Sequence, residues 1–174
     1  MENFSQSMSH SPIDIQPKIL AIGYGNDLRC DDGVGVKIAQ IIDRWHKPGV
    51  RSLAVHQLTP ELAAEIAESQ LAIFIDAYPA SQEQNLQICP VEPMNSDNFS
   101  SHSSNPQSLL TLTRIVFGRC PPAWLIAVPG VNFELGEHLS PIAQQGLNQA
   151  LEQIDRLLKS AIVNNSLESR DVNC

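Results

Sequence analysis

The chain has no cysteine pair at metal-binding spacing: Cys30, Cys89, Cys120 and Cys174 are scattered, with no Cys-x-x-Cys among them. This argues against a zinc knuckle, an iron–sulfur site or a disulfide scaffold, and free thiols in a reducing cytoplasm are the plain reading. Basic runs are also missing. With 11 basic against 19 acidic residues and a formal charge of -8, nothing would neutralise a phosphate backbone, so nucleic acid is not an expected partner. No apolar run approaches the ~20 residues of a membrane span, and Met1 to Pro17 lacks the basic start and apolar core of a secretion signal. A soluble cytoplasmic protein without a membrane partner is expected. Internal repeats and coiled-coil heptads are absent, as is the Gly-x-Ser-x-Gly elbow that presents a serine nucleophile.

What is present is enough for one domain: 174 residues at 43% hydrophobic content can build a sizeable core. The periodic body runs over 18–163, and 1–17 and 164–174 are expected to be frayed ends. Lys18 to Gly23 reads as a short apolar strand, and Val34 to Trp45 carries apolar residues at helical spacing. Arg51 to Gln57 is strand-like, Thr59-Pro60-Glu61 opens a helix, and Leu71 to Asp76 is a further apolar run. Gln87 to Val91 and Trp124 to Val128 read as strands, Pro106 to Phe117 as a helix, and Ser140-Pro141 starts a helix reaching about Leu158. Alternation of this kind predicts an α/β three-layer sandwich, with a mostly parallel twisted sheet of about five strands and helices on both faces. Glu92 to Asn105 is polar, holds five serines and has no periodicity, so it reads as a long loop, functional or disordered.

The chemistry concentrates in Gly23-Tyr24-Gly25-Asn26-Asp27-Leu28-Arg29-Cys30-Asp31-Asp32-Gly33-Val34-Gly35. Two adjacent carboxylates sit there in a glycine-rich turn between a strand and a helix. In open parallel sheets ligands bind outside the carboxyl ends of the strands, where Asp76, closing the third apolar run, would also fall. His102, in the serine-rich loop before a helix, is a third candidate. Two carboxylates and an imidazole form an N/O set suited to a divalent transition metal. Dinucleotide binding fits poorly: the fingerprint's third glycine would stand where Leu28 is, and paired aspartates would repel a pyrophosphate. Helix capping competes for both acids of the turn, with Asp31 the better cap and Asp32 the better ligand. His56, ending a strand on the same edge, is a reserve ligand or a surface contact. Cys30 could be a nucleophile with His102 as base, but the neighbouring carboxylates would blunt it.

Taken together, Gly23-x-Gly25-Asn26-x-Leu28-x-x-Asp31-Asp32-Gly33-x-Gly35, then Ile75-Asp76-Ala77, a histidine loop, and Gly136-x-x-Leu139-Ser140-Pro141 resemble a nickel–iron hydrogenase maturation endopeptidase. The resemblance covers nearly the whole body from Lys18 to about Leu158. It implies a protease that removes a C-terminal extension from the hydrogenase large-subunit precursor after nickel insertion. It also implies a metal site of Asp32, Asp76 and His102, with the nickel borne by the substrate. Many members have Asp-Glu in the turn, so Asp32 is one methylene shorter than usual. His56-Gln57-Leu58-Thr59 resembles the branch serving bidirectional, soluble hydrogenases and is expected to select the substrate, and the segment around His102 is similar to that branch too. A mobile histidine loop would close the ligand set when the loaded precursor arrives. A non-hydrolytic nickel- or precursor-binding chaperone is the competing expectation, and a small metallohydrolase with a retained metal is another.

Overall fold

Residues Ile19, Ala21, Ile73, Ile75, Ile126 and Val128 alternate along their strands with Leu20, Ile22, Ala72 and Phe74, and both sets are buried. A strand apolar on both faces belongs in the middle of a layered α/β structure. The computed structural model describes residues 18–81, 84–94 and 105–168, those from 162 on by backbone alone. In chain order its elements are β1 (Ile19–Tyr24), a 3-10 turn (Cys30–Gly33), α1 (Val34–Arg44), β2 (Val50–Val55), α2 (Leu62–Glu68) and β3 (Leu71–Pro79). Then follow β4 (Gln87–Pro90), α3 (Pro106–Phe117), β5 (Ala123–Gly130) and α4 (Pro141–Glu168).

The sheet order is β2-β1-β3-β5-β4. The first four strands run parallel, and β4 pairs with β5 antiparallel. The first strand set packs with Val34, Ile38 and Ile42 of α1 and Leu147, Ile154 and Leu158 of α4. The second set packs with Leu62 and Ile66 of α2 and Leu109 and Leu110 of α3. Each of these large side chains contributes about 1.5–3 kcal/mol when fully buried. The expected α/β sandwich with helices on both faces is the observed fold.

Local signals place the helices. Asn105 caps α3 by accepting from the Ser108 amide at 2.8 Å, Pro106 stands in its first turn, and Gly118 ends it in the left-handed region at φ 68°. Ser140 accepts from the Ala143 amide at 3.2 Å at the start of α4. The seat of α1 on the sheet needs glycine on both sides: a Cβ on Gly35 would lie 2.4 Å from the Ile75 carbonyl oxygen, and one on Gly23 would lie 1.9 Å from that of Gly35. The motif glycines therefore let helix and strand backbones touch.

Two boundaries differ from expectation. The third strand runs three residues past Asp76, because Asp76, Ala77, Tyr78 and Pro79 all pair with β5. Asp76 is thus a strand residue and not a strand terminus. The short strand β4 is antiparallel, which its isolated apolar pattern did not encode. Helix α4 continues to Glu168 because no glycine or proline stops it after Leu158.

Candidate active site at the carboxyl edge of the sheet

Leaving β1, the chain turns at Gly25 with φ 134°, and a Cβ there would lie 2.0 Å from the Asp32 carbonyl oxygen. Only glycine lets the turn close this tightly. Within it, the Arg29 amide donates to Asn26 O at 3.0 Å and the Asp32 amide to Arg29 O at 3.1 Å. The Asp32 carboxylate folds back and accepts from the Asn26 amide through Oδ2 at 2.9 Å. Asp32 is half-buried, and among the described residues its Oδ1 accepts no hydrogen bond.

Asp31 has a different task. It is fully buried and accepts from the Val131 amide at 2.8 Å, the Asn132 amide at 2.9 Å, the Ser140 amide at 2.7 Å and the Ser140 hydroxyl at 2.8 Å. Burial pushes its carboxyl up, but these hydrogen bonds from Ser140, Asn132 and Val131 outweigh burial and hold it below the ordinary carboxylate range. Helix α1 carries no side-chain cap. The expectation that Asp31 caps it is therefore corrected: Asp31 secures the β5–α4 connection and the start of α4. Nothing in local sequence reports this, since Asp31 and Ser140 are 109 residues apart. Backbone pairing continues the junction, with the Cys30 amide donating to Gly136 O at 2.6 Å and the Gly136 amide to Leu28 O at 2.9 Å. Cys30 itself is buried, with φ 47°.

Asp76 is half-buried beside this turn. Its Oδ1 accepts from the Ala77 amide at 2.8 Å, and its carboxyl is pushed up to about 6. Burial is the main cause and the charge of Asp32 adds to it, while hydrogen bonds from the Tyr24 hydroxyl and the Ala77 amide oppose it. The structure therefore brings Asp32 and Asp76 into electrostatic contact. Two interacting carboxylates cannot both ionise without cost, and a cation between them relieves it.

His102 lies outside the described residues. Asn105 and the N-terminus of α3 lie toward the carboxyl edge, because the other end of α3, Phe117, shares a pocket with Lys18 at the start of β1. Among the described residues no group of three His, Cys, Asp or Glu side chains could hold a metal ion. The segment expected to select substrate follows β2. His56 and Gln57 are exposed, and the His56 carbonyl accepts from the Gly25 amide at 3.3 Å. Leu58 is 3% exposed and packs in the core, and Thr59 starts the turn into α2 by accepting from the Leu62 amide at 3.1 Å. A partner can reach the first two directly.

Two features escaped sequence reasoning. One is Tyr24, whose position two residues after Ile22 puts it on the Asp76 face. The other is an apolar rim of Leu28, Val131 and Leu135, exposed although held by the paired loops beside Asp31. No helix among the described residues is long and apolar enough to cross a membrane.

No protein-family model and no curated protein sequence matches the chain. The fold is that of solved hydrogenase maturation proteases. A [NiFe] hydrogenase maturation protease HycI from Thermococcus kodakarensis superposes with a TM-score of 0.62 at 23% identity, over 84% of this chain and 95% of that one. The hydrogenase maturating endopeptidase HybD from E. coli gives 0.65 at 21%, over 83% and 93%. A hydrogenase 2 maturation peptidase from a Thaumarchaeota archaeon gives 0.63 at 19%, over 82% and 98%.

Proposed function

We propose that the protein is a cytoplasmic endopeptidase that removes a C-terminal extension from the nickel-loaded large-subunit precursor of a nickel–iron hydrogenase. The observation that carries this reading is the meeting of Asp32 and Asp76 at the carboxyl edge, in a fold shared over more than four-fifths of the chain with the HycI and HybD proteases.

In this reading the nickel arrives with the substrate. Asp32 offers Oδ1 from a turn held by Asn26, Asp76 offers a carboxylate held by Ala77, and the His102 imidazole completes the set. Anionic oxygens and one imidazole suit a divalent transition metal. The precursor's cation then lies against the acid pair and fixes the scissile peptide nearby, and polarisation of its carbonyl is the chemistry such a cation supplies. A carboxylate oxygen of the acid pair that the cation leaves free takes the proton of the attacking water and returns it to the leaving amine. A precursor without nickel leaves the two acids repelling each other, so loading is checked before cleavage. The exposed His56 and Gln57 help to choose the partner, which we assign to the bidirectional, soluble class.

The test incubates the purified protein with nickel-loaded and nickel-free precursor and follows the large subunit by mass spectrometry. Loss of the C-terminal extension from the loaded form alone is expected. An intact C-terminus on the loaded form refutes the reading and leaves a non-hydrolytic chaperone.

A further inference from the structure

Tyr24 and Asp76 stand one residue beyond the last pair of the β1–β3 ladder, Gly23 with Ile75. Side chains alternate along a strand, so both project to the face that carries Ile22 and Phe74, where Tyr24 packs half-buried against the α2–α3 core. The Tyr24 phenol lies beside the Asp76 carboxylate and acts against the effect of burial on it, and Oδ1 of that carboxylate is held by the Ala77 amide.

We infer that Tyr24 is the positioning residue of Asp76, fixing the carboxylate so that it faces the same point as Asp32. The inference rests on the endopeptidase reading and concerns how its acid pair is aimed. The residue type suits the task. A lysine or arginine would neutralise Asp76 and compete with an incoming cation, whereas a phenol donates a hydrogen bond and brings no charge. An ordinary phenol stays protonated well above neutral pH, so it remains a donor under working conditions. The aromatic ring also anchors the hydroxyl, because its body is gripped by the core.

Tyr24→Phe keeps the ring and removes the donor. Tyr78→Phe is the control, since the Tyr78 hydroxyl donates to the Asn85 carbonyl instead, at 2.8 Å. With nickel-loaded precursor, kcat of Tyr24→Phe is expected to fall about tenfold or more, the worth of a hydrogen bond to a charged group. KM should stay near wild type, the unfolding midpoint should fall by no more than the loss of one hydrogen bond accounts for, and Tyr78→Phe should be unaffected. In the protein alone, the carboxylate 13C resonance of Asp76, assigned by its loss in Asp76→Asn, is expected to move in Tyr24→Phe and not in Tyr78→Phe. A wild-type kcat for Tyr24→Phe, or an unmoved Asp76 resonance, overturns the inference. Should the wild-type protein leave the loaded precursor intact, the endopeptidase reading falls, and the Asp76 resonance alone decides whether Tyr24 orients it.

Discussion

Asp76→Asn should make the protein more stable at neutral pH while removing its activity. The carboxyl of Asp76 rises from 3.8 to about 6 on folding, chiefly through burial and further through the charge of Asp32. Between these two values the native state holds a proton that the unfolded chain has released, so stability falls as pH rises and the deficit is complete above about pH 6. At 1.36 kcal/mol for each factor of ten, the rise bounds the deficit at roughly 3 kcal/mol. Solvent reaching the half-buried group lowers the working figure to about 1–2 kcal/mol. Asparagine fills the same space, accepts from Ala77 and Tyr24, and carries no charge to desolvate. Urea unfolding at about pH 7.5 is therefore expected to show Asp76→Asn gaining about 1–2 kcal/mol at unchanged m, and the gain should vanish near pH 4. A variant less stable than wild type at the higher pH, or a difference that does not change with pH, would refute the reasoning. With nickel-loaded precursor the same variant should process nothing, which would show an acid pair kept at the expense of stability.

Asp31→Ala removes the acceptor of three amides and one hydroxyl and should cost about 3–5 kcal/mol, read as a drop in the urea midpoint. Because folding lowers the Asp31 pKa, its contribution is present above the unfolded value and lost as pH falls through the folded one, so the variant should approach wild type in acid. Gly35→Ala would press a methyl group against the Ile75 and Tyr24 carbonyls; a loss of about 3 kcal/mol is expected, lowering Tm by roughly 6–12 °C. Asp32→Glu should retain processing, since the longer acid keeps its carboxylate chemistry, whereas His102→Ala should abolish it with an unchanged unfolding curve. Full processing by His102→Ala would remove that residue from the proposed ligand set.

Much of the architecture is legible in the chain because its signals are local. Asn105-Pro106 and Gly118 bracket α3, and both limits of that helix, Pro106 and Phe117, can be read from them. Continuous apolar runs mark strands buried on both faces, and Gly23, Gly25 and Gly35 mark the turn. The long-range part is less legible. The partners of Asp31 lie more than a hundred residues away, so a buried clamp and a helix cap look alike in sequence. The apolar run puts the end of β3 at Asp76, because a charge commonly closes such a run, whereas pairing with β5 carries the strand on to Pro79.

The sequence by itself determined the α/β class, the glycine turn and the acids that belong to one edge, since residue type and periodicity act over a few neighbours. Only the tertiary structure decided that Asp31 is a clamp, that Asp32 and Asp76 sense each other's charge, and that Tyr24 faces Asp76. Each of those roles depends on burial and on groups brought together by packing, and neither exists until the sheet has formed.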